Sequence, residues 1–360
     1  MALADELRAV VRDHLAARPG ASWQAFARDV GVAGLLVPEE HGGAGCGPAE
    51  MAAVAEELGR VLSPHPFLQT AVMAVEALRA CLPAAETPAT DGRPAPEHGA
   101  GGSHAADGPD GLDRAGAAGG PDGAGEAGEA GRLLARLAEG AVSATVVLPG
   151  DGELRLDGDL LTGIVPYATA GELVLLYVDG LLVEAVPAGR EAYTTMDESR
   201  PLQRLVFHDT PVRRIGDGSS WVRVRDLGIA ALAAEQAGGA RRCLEMAVEH
   251  AKRRHQFGRP IGSFQAIKHK LADLLLLVES ATSAARAAAE DGVAAAVAGS
   301  YCTEAYLTAA RENIQIHGGI GITWEHPAHR YLKRATSDAQ LFCPPQAHRA
   351  RLGAHIFASG

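Results

Sequence analysis

The sequence predicts a mainly α protein with a central β domain, in the order helical, β, helical. Two observations carry this expectation. Up to about residue 81, and again from residue 222 onward, apolar side chains recur at spacings of three and four, the period of a helix with one buried face. Between residues 143 and 207 the pattern changes to short apolar runs and alternation, punctuated by Asp-Gly and Pro, as expected for a small antiparallel sheet or barrel. The expected domains are 1–132, 133–221 and 222–360, and at 360 residues the chain is long enough for two or three cores.

The N-terminal segment MALADELRAVVRDHLAARPG reads as an amphipathic helix with mixed charge, without the apolar core of a secretory signal. A second helix ends near Leu36, and the loop VPEEHGGAGCGPAE separates it from MAAVAEELGRVL, where Met51, Val54, Leu58 and Val61 share a face. Residues 84–131 are rich in Gly, Ala, Pro and Asp and hold no aromatic residue. They read as a disordered insertion, because too little apolar surface is available to offset the entropy of ordering them. The strands expected next are SATVVLP, ELRLDG, LLTGIVPYA, ELVLLYVDG, LLVEAVP and RLVFHD. Three long helices follow. In the first, Ile229, Ala233, Ala237, Leu244, Val248 and Ala251 form one stripe, and Gly238 with Gly239 leaves room for a neighbouring helix. The second starts near Ser263 and the third covers VAGSYCTEAYLTAARENIQI. Short joints between them favour an antiparallel bundle.

Composition narrows the function classes. A mean hydropathy of +0.01 and the lack of any long uninterrupted apolar stretch describe a soluble chain with no membrane span, expected in the cytoplasm. The net charge of −11 argues against nucleic acid as a partner, although residues 84–131 alone hold nine acidic side chains against two basic. The five cysteines are scattered and never spaced as CxxC, which fits a reducing compartment and gives no metal or redox motif. The string EHPAH brings two imidazoles close in sequence, but Pro327 breaks the helical spacing that His326 and His329 would need as ligands, so no metal is expected.

Two segments near the C-terminus carry chemistry, RRHQFGRPIGSFQ (Arg253 to Gln265) and QIHGGIG (Gln315 to Gly321). An arginine offers a charge-assisted fork to phosphate, and adjacent glycines let backbone N–H groups approach its oxygens. Each feature alone is equally an ordinary helix end. Together with VPEEHGGAG, EELGR, GIVPYATAG and HPAHRYLKRA, in this order and spacing, they resemble the acyl-CoA dehydrogenase family over most of the chain outside the insertion. The resemblance implies an N-terminal helical domain, a middle antiparallel β-barrel and a C-terminal four-helix bundle, with FAD as cofactor. It places Arg254, Gln256, Phe257 and Gln265 against the FAD of a neighbouring subunit, and Gln315, Gly318 and Gly319 at its pyrophosphate and adenosine side. Tyr167 and Thr169 fall where the family covers the flavin ring and hydrogen-bonds it; ordinary core packing of two strand residues is the other reading. The family's Thr-Glu-Pro loop is absent, and the chain reads TVVLPGDGELRL there.

The family's catalytic Glu position falls on Phe342 within AQLFCPP, with Cys343 and Pro344 in place of Gly-Thr, and the alternative Glu position of some members falls on Gly228. Neither supplies the base that removes an α-proton. Glu235, Glu325 and Asp338 are the nearest substitutes, with Glu235 expected to pair with a basic neighbour and the other two to lie at the surface. Three readings stand at this point. The chain oxidises an acyl thioester, on CoA or a carrier protein, and passes electrons to an electron-transfer flavoprotein. Alternatively it is the non-catalytic subunit of a hetero-oligomer with another dehydrogenase subunit, or a flavin-dependent tailoring enzyme with changed chemistry. The resemblance implies an oligomer in every case, homomeric or heteromeric.

Overall fold

A computed structural model describes residues 2–83 and 121–358. Most of the expected insertion, residues 84–120, therefore lies outside the described residues. The N-terminal part packs α1 (Ala2–Ala17) against α3 (Pro48–Arg60), joined through α2 (Trp23–Val30). Helix α2 has its ends written locally: Ser22 Oγ accepts the Ala25 N–H, and Gly31 stops the helix at φ +78. A π-helical stretch, Leu68–Ala74, runs directly into α4 (Val75–Arg79). Two expectations are corrected here. Val61 lies past the end of α3 and is 52% exposed, whereas Met51, Val54 and Leu58 are buried as expected. Residues 121–131, assigned above to the insertion, form the first part of α5 (Pro121–Ala138), so the expected boundary at 132 cuts a helix whose Ala130, Leu133, Leu134 and Leu137 are buried.

The β domain comprises β1 (Ala144–Val147), β2 (Glu153–Asp157), β3 (Leu160–Thr169), β4 (Leu173–Val178), β5 (Leu181–Ala185), β6 (Gly189–Ala192) and β7 (Leu202–Asp217). Its strand order is β1-β4-β5-β7-β3-β2, with β6 on β7. The long β7 makes the curl. Its first part pairs with β3 and β6 and its last six residues with β5, so it passes from one half of the sheet to the other around a core that includes Leu161, Val165, Leu176, Val183 and Phe207. Pairing is antiparallel except between β1 and β4, which run parallel, a departure from the all-antiparallel barrel expected. The seam between β1 and β3 is closed by side chains: Thr145 Oγ1 donates to the Thr169 carbonyl at 2.7 Å.

Helix α6 (Trp221–Arg253) is the axis of the C-terminal bundle, followed by a small hairpin of β8 (His255–Gln256) and β9 (Arg259–Pro260), then α7 (Gln265–Ala287), α8 (Gly292–His317), α9 (Ala328–Asp338) and α10 (Pro345–Ala358). Helix α10 packs on α8 and completes the bundle of four with α6, α7 and α8. The paired glycines are used as expected. A Cβ on Gly238 would sit 1.9 Å from the Glu56 carbonyl oxygen of α3, and one on Gly239 would meet the ring of Tyr306 on α8.

Candidate functional site

A cleft of about 650 Å³ opens between the β domain and the end of α9. Its walls are Gln69 from the π-helical stretch, Val146 and Val147 of β1, Gly150 and Asp151 after it, Val165 to Thr169 on β3, Leu202, and Ser337 with Gln340 to Phe342. The structure thus brings Tyr167 and Thr169 together with Phe342. Tyr167 is 70% exposed, with its ring centroid 5.7 Å from that of Tyr193. The Thr169 hydroxyl lies 3.1 Å from that of Thr145, and the Thr169 carbonyl accepts from Thr145 Oγ1 and from Gln203 Nε2.

Phe342 adopts φ +54 and Cys343 φ +88, left-handed values that L residues rarely adopt. The Phe342 ring is directed at α6. A Cβ built on Gly228 would meet Phe342 Cζ at 3.0 Å and Met73 Sδ at 3.0 Å. The two positions where the resemblance expects a carboxylate are therefore neighbours, and the space between them is filled by an aromatic ring and a thioether. Met73 gave no signal in the sequence, since it is one apolar residue among many in a helical run.

The carboxylates nearby are engaged elsewhere. Glu235 is 5% exposed and paired with Arg200 and with Arg334, at 3.6 Å for the latter, which agrees with its expected basic neighbour. Asp338 is corrected: it is 2% exposed rather than a surface charge, 3.4 Å from Arg200 Nε, and burial pushes its carboxyl up to about 6 against the pull of Arg200 and Arg334. Arg334 also holds Asp197 at 2.9 Å and the Ser63 carbonyl at 3.1 Å. Glu325 is at the surface, where a hydrogen bond from Thr323 lowers its pKa.

The remaining expected site residues gather at the other end of α6. Arg254 follows its last turn, Gln256 and Phe257 form the hairpin, and Gln265 opens α7. All four are exposed, Phe257 at 91% with φ +52. The end of α8 stands beside them, for the ring centroids of His250 and His317 are 4.3 Å apart and those of His317 and His326 4.2 Å, both pairs tilted. Burial, then the neighbouring His317 and His326, lower the pKa of His250, which favours its neutral ring. Gln315, Gly318 and Gly319 are exposed at this end, and nothing lies within 4 Å of a Cβ position on either glycine. Gly228 and Arg254 are 26 residues apart on or at the end of one helix, about 39 Å along its axis. The cleft and the bundle end are thus two separate places on one chain. Among the described residues no group of three or more His, Cys, Asp and Glu side chains is placed to hold a metal ion, and no helix is long and apolar enough to cross a membrane.

Comparison with known proteins gives concordant matches. Residues 2–83 match the family described as acyl-CoA dehydrogenase, N-terminal domain, and residues 226–355 the acyl-CoA dehydrogenase, C-terminal domain. The chain is 35% identical over 343 residues to acyl-CoA dehydrogenase IpdE2 of Mycobacterium tuberculosis, covering 94% of this chain and 87% of that protein. Its fold is similar to that of the Tcur3481-Tcur3483 steroid ACAD, with TM-score 0.75 and 25% identity over 99% of this chain and 98% of that one. It is also similar to an acyl-CoA dehydrogenase complexed with FAD from Bacillus anthracis, with TM-score 0.76 and 17% identity over 99% of this chain and 68% of that one. The chain belongs to the acyl-CoA dehydrogenase family.

Proposed function

We propose that this chain is the supporting subunit of a hetero-oligomeric acyl-CoA dehydrogenase, holding the nucleotide side of a partner's FAD while the partner supplies the base. The observation that carries the proposal is the packing of Phe342 and Met73 against Gly228. Acyl thioester oxidation needs a carboxylate within reach of the α-carbon, and here both expected positions are apolar and press on each other. Glu235 and Asp338 are held by Arg200 and Arg334 and are not free to serve.

The bundle end, by contrast, keeps what a bound dinucleotide needs. Arg254 offers paired donors to a pyrophosphate, Gln256, Gln265 and Gln315 offer amides, and Gly318 and Gly319 leave their backbone open to close approach. Phe257 presents a ring face to an aromatic neighbour. These groups are exposed and far from the cleft of their own chain, so they suit a cofactor seated in another subunit. When bound there, FAD supplies the acceptor for the hydride that leaves the β-carbon of the acyl thioester. Family membership supports FAD as the cofactor, and the name of the similar steroid ACAD pairs two components. On this reading the substrate is a thioester of CoA or of a carrier protein, and the electrons pass on to an electron-transfer flavoprotein.

The test is co-expression with a dehydrogenase homologue that keeps its Glu, followed by assay of acyl-CoA oxidation. Arg254→Ala in this chain should weaken FAD retention by the complex about 10- to 100-fold, the value of hydrogen bonds to a charged group, and turnover should fall with it. Phe342→Glu should leave turnover of the complex within about twofold. A gain of ~10²-fold or more from Phe342→Glu in this chain alone, the scale of a restored general base, would show a complete dehydrogenase site lacking only its carboxylate and would end the proposal.

A further inference from the structure

Strand β1 pairs with β4 on one side only, so alternate N–H groups point from its other edge. The two on β1, and the N–H of Leu148 just after it, are taken by side chains. The Ala144 N–H donates to Thr70 Oγ1 at 2.9 Å, the Val146 N–H to Gln69 Oε1 at 2.8 Å, and the Leu148 N–H to Asp151 Oδ2 at 2.9 Å. Gln69, Val146 and Asp151 all line the cleft that holds Tyr167, Thr169 and Phe342. Outward N–H groups on such an edge are the donors a flat heterocycle with carbonyl oxygens would use. A ligand taking the Val146 N–H must first displace Gln69 and leave its amide oxygen unpaired, which costs more than the new bond returns. Asp151 is the only charged side chain among the described residues of the lining, and no cation faces it there.

We infer that this chain's own cleft is closed to a flavin dinucleotide: Gln69 occupies the Val146 N–H that β1 turns toward it, Asp151 is fixed there by the Leu148 N–H just after the strand, and the Asp151 carboxylate repels a pyrophosphate. This rests on the supporting-subunit reading and deepens it, since the assembly then holds one FAD for every two chains, in the partner's cleft. Gln69 and Asp151 act as specificity residues that keep the working site single. Simple protection of an edge strand would use the same hydrogen bonds, but it would leave FAD affinity indifferent to the charge at residue 151.

The experiment is a fluorescence titration of FAD into the full-length chain purified alone, comparing wild type, Asp151→Asn, Asp151→Ser and Gln69→Ala, with a thermal melt of each to confirm folding. Asn keeps an oxygen for the Leu148 N–H and removes only the charge; Ser removes the charge and most of the reach. Wild type should bind weakly and lose FAD on gel filtration, and Asp151→Asn should tighten binding about 10- to 30-fold, the size of one charge repulsion across about 8 Å at a dielectric of about 20. Gln69→Ala should tighten it as well, by freeing the Val146 N–H. Retention of one FAD per wild-type chain overturns the inference, and so does an Asp151→Asn affinity equal to wild type. The two failures read differently: FAD held one per chain but not bleached by acyl-CoA sinks the closed cleft alone, whereas bleaching in the isolated chain sinks the supporting-subunit reading.

Discussion

Asp338 lies one helical turn before Phe342, and its carboxylate shares the interior with Glu235 and Asp197 around only two guanidinium groups, those of Arg200 and Arg334. Three acids on two bases leave one negative charge in excess, which is why burial wins over the arginines and raises Asp338 to about 6. Because this folded-state pKa is above the unfolded value, ionising Asp338 costs stability, and the cost is present above about pH 6 and fades as pH falls toward the unfolded value near 4. Asp338→Asn, which leaves two acids on two bases, should therefore stabilise the protein at pH 7.5, by on the order of 2 kcal/mol. The gain should shrink in melts taken at pH 5 and nearly vanish at pH 4. A gain that grows toward acid would mean that the ionised carboxylate is a net stabiliser of the fold.

At the scale of elements, the crossing of α3 and α6 sets how closely the N-terminal part approaches the bundle. Gly59 faces the Glu235 carbonyl and Gly238 faces the Glu56 carbonyl, each with 1.9 Å to a Cβ position, so backbone meets backbone. Gly238→Ala should cost about 3 kcal/mol or more, since a carbonyl cannot give way as a flexible side chain does, and chemical denaturation would measure it. A loss under about 0.5 kcal/mol would show that the helices slide apart freely. Of these two glycines, Gly238 was legible in the sequence, because a break in an apolar stripe by Gly238 and Gly239 has few uses, whereas Gly59 was not singled out. Every strand of the β domain but the short β6 was legible from its period, and so were α6, α7 and α8, whereas α10 was not read from it. Helix α5 was not, because its first half is Gly-, Ala- and acid-rich and gains its order from Leu133, Leu134 and Leu137 packing in the core. Asp338 looked like a surface charge because its partners Arg200 and Arg334 come together only in the fold. The capping of β1 was hidden for the same reason, for Gln69 and Val146 are 77 residues apart in sequence.

For the whole molecule the governing distance is the length of α6. Its first turns carry Gly228 into contact with Phe342, and its last turn delivers Arg254 to the exposed end, about 39 Å away. At that separation, the exposed groups around Arg254 and Gly318 suit the proposed role of holding a cofactor seated in another chain. The residues gathered at the exposed end could be singled out in the sequence because they sit in short motifs whose order and spacing count together. The lost base was recognisable only as a missing Glu, and the packing of Phe342 and Met73 against Gly228 needed three segments distant in sequence. The most direct measurement of the central claim is anaerobic reduction of bound flavin by a panel of acyl-CoA thioesters, with this chain alone and with this chain co-purified with a Glu-bearing dehydrogenase subunit. The account predicts bleaching by the complex, near one FAD per two chains, and none by the chain alone. Bleaching by the chain alone, at one FAD per chain, would contradict it.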